Sequence, residues 1–180
     1  MEQISTKILQ FQHISAATKE ATEYIKKRKN HEVKSLKTRW NKFNAVCMGG
    51  IEPNTVYTIV GISGSGKSSF VNTLENDLID LNSDQDVIVL NFSFEMLSSR
   101  QVGRKLSSKL RLTTAELYSA NNDLDNESLA KVEETSQQIK SYPIYYVDTP
   151  GTVEDIASTI DYFYENKAKG KKFIVILDHT

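Results

Sequence analysis

The run Gly61-Ile62-Ser63-Gly64-Ser65-Gly66-Lys67-Ser68 constrains this chain more than any other feature. It matches in full the pattern G-x-x-x-x-G-K-[ST], in which each fixed residue has a physical task. Glycines let successive backbone N–H groups curl around phosphate oxygens without side-chain obstruction. The helix that follows presents its positive dipole end to the same anion. Lys67 is then placed to reach the β- and γ-phosphates and the Ser68 hydroxyl to ligate Mg2+, so the expected ligand is Mg·ATP. The nucleotide-binding set runs through Gly61, Ile62, Ser63, Gly64, Ser65, Gly66, Lys67, Ser68 and Ser69. A glycine- and serine-rich surface turn is the alternative. The context argues against it, because the loop stands between an apolar segment, 56–60, and a helical pattern with Phe70, Val71, Leu74 and Leu78 on one face.

From residue 56 onward, short apolar runs alternate with helical patterns. Segments 56–60, 87–92, 144–147 and 173–177 are rich in Val, Ile, Tyr and Phe and nearly continuous in hydrophobicity, as strands buried on both faces are. Between them, 67–81, 98–110, 127–140 and 153–167 read as helices, the last opened by Thr152-Val153-Glu154-Asp155 as a capping box. This alternation predicts an α/β fold with a mainly parallel sheet in three layers. There is no internal repeat.

Residues 1–45 differ from the rest, with ten Lys or Arg against four Asp or Glu. The stretch 16–37 lacks Gly and Pro and has sparse apolar positions, so it predicts a mostly solvated helix. Its basic run Lys26-Lys27-Arg28-Lys29 reads as a solvated face or as a contact for a subunit or DNA. The organisation expected is therefore a helical basic linker over 1–37 and one domain over 38–180. Turn formers at 49–54 open that domain.

Hydrolysis needs a carboxylate to hold the metal and another to position water. The strand 173–177 ends in Asp178, an apolar strand delivering an acid, which reads as the metal carboxylate beside Ser68. Glu95, in Asn91-Phe92-Ser93-Phe94-Glu95-Met96, lies at the end of another strand, where parallel sheets gather their chemistry. Spacing alone leaves it open whether Glu95 is a general base or an acid favourable to a helix dipole. Asp148, before Pro150-Gly151, is a rival for the metal or a strand terminator, and Tyr142, Tyr145 and Tyr146 read as rim packing or as stacking platforms.

With 180 residues and a formal net charge of −1, no global field commits the chain to nucleic acid or a membrane surface. A single cysteine, Cys47, excludes an internal disulfide and fits a reducing compartment, the cytoplasm being the simplest. No apolar run approaches the length of a membrane span.

Taken in order, Gly49-Gly50-Ile51-Glu52-Pro53-Asn54, the phosphate loop, Phe92-Ser93-Phe94-Glu95-Met96, Pro143-Ile144-Tyr145-Tyr146-Val147-Asp148-Thr149-Pro150 and Ile176-Leu177-Asp178-His179 resemble the C-terminal ATPase domain of DnaB-type hexameric helicases, a RecA-like family. The resemblance runs from about Thr38 to Thr180. It implies Glu95 and Lys67 as catalytic residues, Ser68 and Asp178 as metal ligands, and a structural role for Asp148. It further implies a homo-hexamer, single-stranded DNA as partner, DNA unwinding in replication, and the cytoplasm of a bacterium or phage-infected host. Asp178-His179 looks more like the phage primase-helicases than the bacterial pattern. The resemblance also implies a sheet in which 173–177 lies between 56–60 and 87–92, with 144–147 at the outer edge. The family's later glutamine sensor, DNA-binding loop and arginine finger are expected beyond Thr180, which makes the sequence read as a fragment. Alternatives of other classes are a P-loop small-molecule kinase, another RecA-type ATPase such as a recombinase, and a remnant that binds without turnover.

Overall fold

The computed structural model describes residues 10–121 and 124–178. The chain divides into two compact units, Met1–Ser35 and Leu36–Thr180. In the first, helix α1 (Ile14–Lys29) is capped by His13, whose Nδ1 accepts from the Ser15 N–H at 3.2 Å. Lys26, Lys27, Arg28 and Lys29 crowd its last turn, where the dipole favours cations. No residue of α1 is buried. The expected helix over 16–37 ends early because Asn30 donates to Lys26 O and His31 turns left-handed, at φ 59°.

The second unit holds, in order, α2 (Asn41–Val46), α3 (Lys67–Asp80), β1 (Val87–Ser93), α4 (Ser98–Leu110), α5 (Thr114–Tyr118), α6 (Asn126–Ile139), β2 (Ile144–Val147), α7 (Val153–Phe163) and β3 (Lys172–Asp178). A π-helical turn, Tyr164–Ala168, extends α7. The capping box forms as expected: Thr152 Oγ1 accepts from the Asp155 N–H, and the Asp155 carboxylate accepts from the Thr152 N–H.

The strands pair in parallel in the order β2-β1-β3. Alternate residues of β1 feed two cores. Ile88, Leu90 and Phe92 pack with Phe163 and Ala168 on one face, backed by Ile156 and Ile160 of α7. Val87 and Val89 pack with Leu36 and Leu78 on the other, backed by Leu74 and Ile79 of α3. Helices on both faces of a parallel sheet make the three-layer α/β fold expected. The neighbour relations expected of 144–147, 87–92 and 173–177 hold as well.

The expected strand at 56–60 does not form. Residues 55–62 carry no regular structure, and Val56 and Val60 are 91% and 87% exposed. An apolar run becomes a strand only when a neighbour takes its N–H and C=O groups and its side chains are covered. Neither condition is met at these residues, and the expected order keeps only its β2-β1-β3 part.

The glycine pair at 49–50 has a specific cause. Leu36 and Ile51 form an antiparallel bridge, and a Cβ on Gly50, at φ 133°, would lie 2.0 Å from Leu36 O. Only glycine fits that crossing. Among the described residues no helix is long and apolar enough to cross a membrane.

Candidate nucleotide-binding site

The loop 61–66 ends at Gly66, the left-handed N-cap of α3 at φ 90°, and Gly64 is also left-handed, at φ 77°. These conformations call for glycine, and a Cβ at either position would meet nothing within 4 Å, so one side of the loop is open. The first bond into α3 runs from Phe70 N–H to Gly66 O at 2.9 Å. The N–H groups of the first helical turn therefore have no acceptor within the helix, and no acidic residue stands there to compete for them. Lys67 Nζ donates to the carbonyls of Gly61 and Ile62 at 2.9 and 3.2 Å, curling back over its own loop.

Three contacts fix the direction of α3. Leu78, near its C-terminal end, packs with Val87 and Val89 at the start of β1. Glu75 accepts from Asn91 Nδ2 at 2.8 Å, further along the strand. Asn72 reaches Gln101 of α4, and Gln101 Nε2 donates to Ser93 Oγ at 3.1 Å, at the strand's end. The helix runs antiparallel to β1, so its N-terminus and the loop before it face the carboxyl end of the sheet.

At that end Ser93 and Asp178 are register partners in parallel strands. Beyond Ser93 the chain bends through Phe94, Glu95 and Met96 before α4, with Ser93 Oγ donating to Met96 O across the bend and Glu95 exposed on it. Asp178, half-buried, terminates β3. The acid-bearing bend and Asp178 thus occupy the same rim, the place where open α/β sheets hold ligands. His179 lies outside the described residues.

Asp148 has a different task. Its Oδ2 accepts from the Ser98 N–H at 3.0 Å, capping α4 from the end of β2. The tyrosines are likewise engaged in packing: Tyr142 OH donates to Asp80, Tyr145 meets Phe163 edge-on at 4.9 Å, and Tyr146 OH donates to Glu75 at 3.5 Å.

Sequence reasoning missed the buried polar layer between α3, α4 and β1. Lys105 pairs with Glu75 at 2.5 Å, and Asn72, Asn76, Asn91, Ser93 and Gln101 are buried around them. Burial pulls the Lys105 ammonium below the usual lysine range, against the attraction of Glu75. It pushes the Tyr146 phenol up, an effect that Glu75 reinforces.

The fold and this rim define the class, a RecA-like α/β domain with a glycine loop entering a helix. The chain belongs to the family of DnaB-like helicase C-terminal domains, whose description matches residues 35–179. Two solved structures are similar in fold. One is an ATPase domain, at TM-score 0.71 and 18% identity over 95% of this chain and 58% of that one. The other is a DnaB-like replicative helicase described with its interactions with primase, at TM-score 0.71 and 18% identity over 92% of this chain and 42% of that one. The chain thus spans 58% and 42% of the lengths of the structures it resembles. No curated protein sequence matches it.

Proposed function

We propose that this chain is the nucleotide-binding motor domain of a replicative DNA helicase, which binds Mg·ATP and hydrolyses it to drive unwinding. The observation that carries the reading is the antiparallel run of α3 along β1, since it turns the glycine loop toward the rim of Asp178 and the Glu95 bend. Membership of the DnaB-like family supports the same activity.

Residues 61–69 hold the triphosphate. The open side of the loop at Gly64 and Gly66 and the uncapped first turn of α3 fit an anion. Lys67 leaves its two loop carbonyls for the β- and γ-phosphates, moving a charge to where the transferred group gains negative character. Ser68 and Asp178 would hold Mg2+, which supplies neutralisation of phosphate charge when bound. Such an ion takes few protein ligands, one or two beside the phosphates and water. Glu95, exposed on its bend, accepts a proton from the attacking water.

By family resemblance the working form is a homo-hexamer on single-stranded DNA, in which the basic helix Ile14–Lys29 docks on a neighbouring subunit. The cytoplasm of a bacterium or infected host is the matching location.

Substitution separates the roles. Lys67→Ala abolishes productive nucleotide binding, whereas Glu95→Gln keeps binding and stops hydrolysis, as read by a fluorescent ATP analogue and phosphate release on the assembled protein. Normal turnover in Glu95→Gln removes Glu95 from the mechanism. Hydrolysis without stimulation by single-stranded DNA removes the helicase reading.

A further inference from the structure

We propose that Gln101 and Ser93 are positioning residues for Glu95, joined with Asn72 in a buried hydrogen-bond relay that ties the helix behind the phosphate loop to the bend bearing the base. The inference rests on the reading of Glu95 given above.

The relay has a defined direction at each step. Asn72 Nδ2, on α3, donates to the Gln101 side-chain oxygen at 2.9 Å and to its backbone carbonyl at 3.1 Å. The Gln101 amide nitrogen donates to Ser93 Oγ at 3.1 Å. The Ser93 hydroxyl in turn donates to Met96 O, one residue past Glu95. Gln101 is thereby an acceptor at one end and a donor at the other, which fixes its amide orientation, and the Ser93 hydroxyl has no free rotation left.

All three side chains are sealed, with Asn72, Gln101 and Ser93 at 3%, 2% and 2% exposure. Water cannot replace a lost partner there, so each bond selects one arrangement over its neighbours. The links join three elements that the Lys105–Glu75–Asn91 contacts also tie further from the rim: α3, which opens at Lys67; α4, which follows the bend; and β1, which precedes it. Glu95 itself is exposed. Its place relative to the loop is set by the backbone on either side, which Ser93 closes and Gln101 anchors to α3. A general base displaced by about 1 Å loses on the order of a hundredfold in rate, so a relay that holds a backbone bend acts on the chemical step.

The test uses Ser93→Ala and Gln101→Met in the assembled protein, with Glu95→Gln as reference. The expected result is a fall in kcat of about tenfold or more with nucleotide affinity within about twofold of the parent. The double variant Ser93→Ala with Glu95→Gln should be no slower than Glu95→Gln alone, because a positioning residue has nothing to act on once the base is gone. Gln101→Met keeps the volume of the buried side chain and carries the test if Ser93→Ala folds poorly. Unchanged kcat in both variants overturns the relay, as does a fall that only follows the loss of folded protein in unfolding curves, or an added loss in the double variant equal to that of Ser93→Ala alone. Normal turnover by Glu95→Gln overturns the base assignment itself, whereas an inactive Glu95→Gln beside fully active relay variants overturns the relay only.

Discussion

Lys105 on α4 donates to Glu75 on α3 across 2.5 Å, with the two side chains only 1% and 0% exposed. The remaining acceptor capacity of the carboxylate is taken by Asn91 at 2.8 Å and Tyr146 at 3.5 Å. Three donors thus meet the carboxylate, although Asn91 Oδ1 beside it is buried without a partner, and such contacts are what make a buried charge tolerable. Lys105→Met strands the carboxylate and should cost about 3–5 kcal/mol in urea unfolding. Adding Glu75→Gln, which still accepts from Asn91, should recover most of that loss. A Lys105→Met variant as stable as the parent would show that the pair does not hold α3 to α4.

Gly103 is a buried helical glycine with a reason. A Cβ there would lie 1.9 Å from the Tyr118 hydroxyl and 2.8 Å from its ring carbon Cζ, so the Tyr118 side chain cannot keep its place. Gly103→Ala should destabilise by roughly 1–3 kcal/mol through overpacking. In a Tyr118→Ala background the same change should become neutral or stabilising, because Ala is favoured over Gly in a helix by about 1 kcal/mol. A double-mutant cycle on unfolding free energies reads the coupling, and additive effects would mean that Tyr118 is not what Gly103 accommodates.

Three helix-start carboxylates, Glu116, Asp125 and Asp155, are held below the usual carboxylate range, first by backbone N–H groups of their own caps. Because the folded values are depressed, their contribution is complete above the ordinary carboxylate pKa, about 4, and is lost as pH falls through the lower folded values. A carboxyl-carbon NMR titration should give Asp155 a midpoint below that of an ordinary aspartate. Asp155→Asn should flatten part of the acid dependence of stability. An ordinary midpoint for Asp155 would mean that its capping bonds do not persist in solution.

Hydrogen exchange should grade the second unit by pairing. β1 is bonded on both sides and buried at all seven residues, whereas 56–60 pairs with no strand and is exposed except at Tyr57. Amides of 87–93 should be the slowest to exchange and those of 56–60 among the fastest. Slow exchange at 56–60 would mean that a strand forms there after all.

The exposed 56–60 segment shows where sequence reading stops. Its apolar run is as strong as that of 144–147, yet only the latter pairs, because a ladder depends on a distant partner that local pattern does not encode. By contrast, the glycine loop, the helix it opens, the capping box at Thr152 and the three paired strands follow from local chemistry and were legible. α2 and α5 were missed, being six and five residues long and too short to display a period. The relay was hidden for the opposite reason. Asn72, Glu75 and Asn76 recur at the spacing of a helix face, a polar pattern that carries no sign of burial, but α3 turns that face inward against α4 and β1. The apolar face expected from Phe70, Val71, Leu74 and Leu78 is only partly realised, with Leu78 alone fully buried.

The two carbonyls that Lys67 holds in its own loop bear on what happens after turnover. Capture of a triphosphate is then an exchange of dipoles for anions, not the filling of a bare cationic socket. On the proposed reading the ammonium can pass back to Gly61 and Ile62 as phosphate leaves, so the two carbonyls that compete with an incoming nucleotide also receive the lysine afterwards. In the motor proposed above, that reversibility would be a gearing property of the loop from Gly61 to Lys67 itself.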